Sequence, residues 1–327
     1  MPELNLLEAI HQGIDEMMTD DDRVFVLGED VGKRGGVFRV TEGLFEKYGP
    51  TRIIDAPLAE SVIVGACIGA ALNNMRPIAE IQFADFILPA FNQIVSEAAR
   101  IRYRSNGDWN VPLVIRAPYG GGIHGALYHS QSVEAFFAHV PGLKVVTPST
   151  PYDAKGLIKS AIEDPDPVLF LEHKKTYRLV KGEVPDADYR VPIGVAQVRR
   201  PGEDLSIIAY GLMVHYAFEA AQTLALEGIS VEVLDLRTLR PLDTAAILAT
   251  VRRTNKVLIV HEDNLTGGLG GEISAIIAEH AFESLDAPIM RLAGPDVPAM
   301  PFAKTLEDAF MPSAATIAAA ARTLAAY

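Results

Sequence analysis

Ile53-Ile54-Asp55-Ala56-Pro57-Leu58-Ala59-Glu60-Ser61-Val62-Ile63-Val64-Gly65-Ala66-Cys67-Ile68-Gly69-Ala70-Ala71-Leu72 joins a β-branched pair, a proline turn and a long apolar run. The pair reads as a buried strand and Ser61–Leu72 as a helix, with Pro77–Ile81 returning as a second strand. Neither strand alternates with polar residues, as expected of a parallel sheet covered on both faces. The same alternation extends outward. Leu7, Ile10, Ile14 and Met17 have helical spacing, Val24–Leu27 is a strand and Thr41–Tyr48 a helix closed by Gly49. A long helix from about Pro89 to Tyr103, strand Leu113–Ala117, helix Ser132–Phe137, strand Lys144–Val146, helix Tyr152–Ile162 and strand Val168–Leu171 follow. Periodicity dissolves into charges and prolines between His173 and Glu203, then resumes with strands Leu205–Tyr210, Ser230–Asp235 and Val257–His261 among further helices. The pattern predicts an α/β protein with two open, mainly parallel sheets flanked by helices. Its expected divisions are a first domain over 1–185, a linker over 186–203 and a smaller domain over 204–327.

A chain of 327 residues, 49% apolar and 22% charged, has the composition of an ordinary globular protein and room for two cores. Its net charge of −13, with no long basic run, argues against nucleic acid and against an anionic membrane surface. No apolar stretch reaches the roughly 20 residues that span a bilayer. Cys67 is the only cysteine, so disulfide and cysteine–zinc frameworks are excluded and a reducing cytoplasm is expected. Residues 1–22 are acidic, without the order of a secretory or transit signal.

Several motifs invite chemistry and fail it. Gly120-x-Gly122-x-x-Gly125 matches a dinucleotide fingerprint, but no long helix opens after it and no acid ends a strand about 20 residues on. Gly28–Arg34 is one residue short of a phosphate loop and has Arg34 where a magnesium-binding hydroxyl is needed. Gly267–Gly271 before a helix offers N–H groups to an anion, or is only a tight turn. Neither a serine-hydrolase elbow nor a zinc-protease motif is present.

The remaining candidates lie where predicted strands end, the ligand-binding side of open α/β sheets. Glu60 starts the apolar helix. It either complements the helix dipole or is a partly desolvated carboxyl exchanging a proton with a buried ligand. That helix, with Gly65, Ala66, Gly69 and Ala70, is expected to be buried nearly all round, including against another subunit. Gln82, Phe83 and Phe86 follow the strand Pro77–Ile81, as core or as a stacking surface for a heterocycle. His129 lies with His124 on a glycine-rich loop. Asp164 and Asp166 close a helix, either as turn residues or as oxygen ligands of a hard cation.

Gly28-Glu29-Asp30-Val31-Gly32, Asp55–Ser61, Gln82–Phe86, His129-Ser130-Gln131-Ser132, Phe136–Lys144, Tyr210-Gly211, Leu234–Asp243 and His261-Glu262 resemble, in order, one family. It is the β subunit of the thiamine-diphosphate-dependent first component of 2-oxo acid dehydrogenase complexes, and the resemblance covers nearly the whole chain. His124–Ser132 is most similar to the branched-chain members; pyruvate and acetoin enzymes share the rest. The resemblance implies that Glu60 is the catalytic carboxyl on the cofactor's aminopyrimidine, with Leu58, Gln82 and Phe86 lining that ring. It gives His129 a proton-transfer or orienting role in acyl transfer. It also implies a potassium ion on Leu113, Ala161, Ile162, Asp164 and Asp166, mostly through backbone carbonyls, with Asp166 standing where relatives commonly have Asn. The Gly-Asp-Gly motif that holds diphosphate and magnesium is absent. An α subunit is therefore expected to supply it in an assembly of two copies of each chain, docked on a lipoyl-bearing acyltransferase core. A non-enzymatic scaffold and a nicotinamide dehydrogenase are the rival readings. Retention of Glu60 and His129 opposes the first, and the broken fingerprint opposes the second.

Overall fold

The computed structural model describes residues 2–327, which divide into two compact units. One comprises the chain up to Tyr119 together with Phe136–Ile193, the other Gly120–Ala135 with Gly194–Tyr327. The second unit thus takes in a segment from within the expected first domain.

In chain order the first part contains β1 (Glu3–Asn5), α1 (Leu6–Asp20), β2 (Val24–Gly28), α2 (Leu44–Tyr48), β3 (Ile53–Asp55), α3 (Glu60–Leu72), β4 (Arg76–Glu80), α4 (Ile101–Arg104) and β5 (Val114–Tyr119). After these come α5 (Glu134–Ala138), β6 (Lys144–Val146), α6 (Pro151–Glu163), β7 (Val168–His173), α7 (Thr176–Leu179) and β8 (Lys181–Glu183). The strands of the first unit lie parallel in the order β6-β7-β5-β4-β2-β3, and β1 and β8 form a separate antiparallel ribbon. Helix α1 begins at a capping box in which Asn5 accepts from the Glu8 N–H and Glu8 accepts from the Asn5 N–H. Its apolar face, Ile10, Ile14 and Met18, joins Leu157, Ile158 and Phe170 in the core. Helix α6 starts with Pro151 behind the Thr150 cap, as a first-turn proline should. The two helices meet closely at Gly13, where a Cβ would lie 2.5 Å from Ile158 Cγ2. Beside this contact the buried Lys155 and Lys159 share the Glu16 carboxylate at 2.7 and 2.6 Å, so their charges are paired rather than stranded.

The long helix expected from Pro89 to Tyr103 is broken. A 3-10 turn at Leu88–Ala90 leads into a π-helical segment, Gln93–Ala98, before α4. The widened turn is seen directly in the Ala99 N–H bond to the Ile94 carbonyl at 3.0 Å. Helix α3 also departs from expectation. Ile63, Val64, Cys67, Ile68 and Ala71 are buried, but Val62, Ala66, Gly69 and Leu72 are exposed. Burial pushes the Cys67 thiol up to about 12, which leaves it an inert part of the core.

The second unit holds β9 (Gln197–Arg200), β10 (Leu205–Ala209), α8 (Leu212–Ala225), β11 (Val231–Asp235), β12 (Thr238–Arg240), α9 (Thr244–Thr254), β13 (Val257–Asn264), α10 (Leu269–Ala281), β14 (Met290–Gly294), α11 (Lys304–Phe310) and α12 (Ala314–Ala325). Its five-stranded sheet runs β14-β13-β10-β11-β9, parallel except for β9. Strand β9 falls inside the expected linker, because an edge strand can be polar: Arg199 pairs with Asp235 at 2.9 Å. Leu205, Val233, Leu258 and Val260 meet Val214, Ala221 and Leu224 of α8 and Ile317 and Leu324 of α12 in a core of their own. Among the described residues no helix is long and apolar enough to cross a membrane.

Gly13→Val should overpack the α1–α6 contact and lower stability by about 1–3 kcal/mol. Urea unfolding checks this, and an unchanged midpoint would mean that the contact yields without strain.

Candidate active site

In the sheet of the first unit β2 and β4 are neighbours, and the chain leaves β2 for β3 on one side but leaves β4 for β5 on the other. Such a switch point opens a crevice beyond the carboxyl ends of the strands. Three connections supply its residues: Glu29 after β2, Leu58 and Glu60 after β3, and Gln82, Phe83 and Phe86 after β4. Glu60 is the first residue of α3, whose N-terminus has no side-chain cap. It is half-buried, at the end of a helix where N–H groups lack partners.

Glu29 is the neighbour that sequence reasoning missed, although its motif was noticed. Its carboxylate accepts from the Ala59 N–H, while its carbonyl receives Gln82 Nε2 at 3.4 Å. Burial first, then the charges of Glu60 and Asp30, hold the Glu29 carboxyl above its ordinary value. Its Oε1 is buried without a hydrogen-bond partner among the described residues. The predicted Phe86 packs against Phe83 with centroids 5.7 Å apart at 75°, and Phe83 meets Phe38 at 5.3 Å and 68°. Leu58 is 81% exposed, an apolar side chain uncovered by this chain. Glu60, Glu29 and Gln82 are thus brought together, with an aromatic wall and an open apolar residue nearby. An orphaned carboxyl oxygen, a second carboxyl and aromatic faces fit a flat, nitrogen-bearing heterocycle such as an aminopyrimidine.

A buried ion cluster ties β4, the strand that leads to Gln82, Phe83 and Phe86, to the strands beside it. Arg116 on β5 donates to Glu80 on β4 at 2.6 Å and to both oxygens of Glu172 on β7 at 2.6 and 2.8 Å. The Tyr177 hydroxyl donates to the same Glu172. Burial opposes the Arg116 charge, but Glu172 and Glu80 more than offset it and hold the guanidinium firmly protonated.

His129 belongs to the second unit, on the loop that leaves β5. The loop closes on itself through the Gly120 N–H bond to the Gln131 carbonyl at 3.0 Å. Glu262, buried in β13, accepts from the Gly121 N–H and, at 3.4 Å, from the Ser132 hydroxyl. Gly125 permits a close approach: a Cβ there would lie 2.7 Å from the His129 carbonyl oxygen.

The residues expected around a cation have partners within the chain. The Leu113 carbonyl accepts from the Val168 N–H at 2.9 Å, and that of Ile162 from Arg76 at 2.6 Å. Asp164 meets Lys144 at 2.6 Å, and Asp166 meets Arg102 at 2.8 Å. Ala161 lies buried in α6. No group of three or more His, Cys, Asp or Glu suited to a metal occurs among the described residues.

Fold and crevice define a two-unit α/β protein of the transketolase type. Residues 3–180 match the family described as transketolase, pyrimidine binding domain, and residues 194–317 match transketolase, C-terminal domain. The chain is similar to the 2-oxoisovalerate dehydrogenase subunit beta of Bacillus subtilis (strain 168), with 60% identity covering 100% of both chains. It is 50% identical to the acetoin:2,6-dichlorophenolindophenol oxidoreductase subunit beta of Cupriavidus necator, over 98% of this chain and 96% of the other. A solved structure of a split-gene transketolase, described as an inactive β4 tetramer, superposes with a TM-score of 0.80 at 25% identity, covering 99% of this chain and 98% of that one. The chain belongs to the β subunits of the first component of 2-oxo acid dehydrogenases.

The Glu29 carboxyl, raised in the folded chain, favours folding at low pH, and that contribution is lost as pH rises through its folded value. Glu29→Gln should therefore unfold at higher urea than the wild type at pH 7, with the difference vanishing near pH 4. A variant no more stable at pH 7 would show that Glu29 carries no charge penalty.

Proposed function

We propose that this chain, with an α subunit, carries out thiamine-diphosphate-dependent oxidative decarboxylation of a branched-chain 2-oxo acid and passes the acyl group to the lipoyl group of an acyltransferase core. The observation that carries the reading is Glu60 beside Glu29 at the switch point, within a chain of this family. Identity of 60% to a 2-oxoisovalerate dehydrogenase subunit, against 50% to an acetoin enzyme, supports the branched-chain substrate.

When bound, thiamine diphosphate supplies the electron sink that decarboxylation of a 2-oxo acid requires. Glu60 would hold a proton at a ring nitrogen of the aminopyrimidine, a task for which a carboxyl can both donate and accept. Leu58, Gln82 and Phe86 would seat that ring, the amide by hydrogen bonding and the other two by apolar contact. His129 would orient the acyl acceptor or move a proton during transfer, since an imidazole offers both a donor and an acceptor nitrogen.

The absence of a Gly-Asp-Gly motif leaves the diphosphate and magnesium to the α subunit, two copies of each chain completing the enzyme. The open apolar face of α3, with Gly69 facing empty space, supports a partner chain lying against it. The β4 form described as inactive for the split transketolase supports the same incompleteness.

Glu60→Gln, assembled with its α subunit, should lose about 10²–10⁴-fold in the rate of 2-oxo acid decarboxylation. An unchanged rate would overturn the assignment. His129→Ala should slow acylation of the lipoyl domain more than reduction of an artificial acceptor, and equal losses in both would contradict its role.

A further inference from the structure

The loop carrying His129 is strained, and the second unit holds it in that state. His124 (φ 60°) and Ala126 (φ 55°) occupy the left-handed region, which side-chain-bearing residues adopt only when their surroundings impose it. The imposing group is Glu307 on α11, 1% exposed. Its Oε1 accepts from the Gly122 N–H at 2.9 Å and the His124 N–H at 3.2 Å, and its Oε2 lies 2.6 Å from His124 Nδ1. Two backbone donors converging on one carboxyl oxygen make a directional clamp. A 3-10 turn, Ala126–Tyr128, follows, and the His129 N–H returns to the Ala126 carbonyl at 3.4 Å. The position of His129 is therefore set by a turn whose start is held by Glu307 and whose far end, at Ser132, is held by Glu262.

We propose that Glu307 is a positioning residue for His129, acting through the strained turn at residues 124–126 rather than by touching substrate. This rests on the reading of His129 as the residue of acyl transfer. It assigns to α11, a helix with no chemistry of its own, control over how well the acyl group is passed on. A glutamine at 307 would keep an oxygen for both N–H groups, whereas an alanine would release the turn.

The test uses the enzyme assembled with its α subunit. Hydrogen exchange at the Gly122 and His124 amides should rise about tenfold or more in Glu307→Ala, with the β13 amides unchanged. In the same variant, acylation of the lipoyl domain should fall more than reduction of an artificial acceptor, and Glu307→Gln should restore most of both. Lys304→Ala with Asp308→Ala, which removes the exposed ion pair on the same helix, should change neither. Unchanged exchange at Gly122 and His124, or loosening spread evenly through the second unit, would overturn the proposal. If Glu307→Ala does not assemble, Glu307→Asp decides: the shorter side chain withdraws the carboxyl from both N–H groups and should loosen the same amides, and wild-type exchange there would refute the clamp. If Glu307→Ala loosens the loop while His129→Ala leaves acyl transfer intact, the tether stands and the role of His129 falls.

Discussion

The first unit depends on one buried guanidinium. Arg116 sits between carboxylates on the strands to either side, and all three groups are removed from water. An isolated charge in that position would be prohibitive, and removing one partner of such a set typically costs about 3–5 kcal/mol. The parallel ladders between β4, β5 and β7 could slip without losing apolar burial, because these strands are apolar on both faces. The ion cluster penalises any register in which Glu80, Arg116 and Glu172 fail to meet. Gln82 leaves its strand just after Glu80, so the register of the cluster is also the placement of the crevice.

Much of the fold was legible because burial on both faces leaves plain apolar runs, such as Val24–Leu27 and Val168–Leu171. The unread parts have local sequences that do not advertise their surroundings. Strand β9 is charged because it lies on an edge, and α11 is short and polar. The π-helical segment at Gln93–Ala98 has the composition of an ordinary helix, and only its packing widens the turn. The assignment of Gly120–Ala135 to the second unit depends on contacts such as that of Gly122 with Glu307, 185 residues away.

The candidate site divides in the same way. Glu60, Gln82 and Phe86 were visible as chemistry-bearing residues at strand ends, the place where the topology of an open sheet puts ligands. Glu29 and Glu307 were not singled out, since an acid near a glycine reads equally as a solvated turn. What distinguishes them is burial and the donors they face, which only the folded chain reveals. The open side of α3 is the converse case: the sequence suggested burial all round, and the single chain buries only one side.

The chain leaves an apolar helix face uncovered, and the proposed function makes it the holder of one half of an active site. The most direct test of that account is 2-oxo acid-dependent reduction of an artificial electron acceptor by this chain, alone and co-expressed with its α subunit, given thiamine diphosphate and magnesium. Activity only with both chains, with a higher kcat/KM for 3-methyl-2-oxobutanoate than for pyruvate, is the predicted result. Turnover by this chain alone, or none on either acid from a folded and assembled pair, would contradict it.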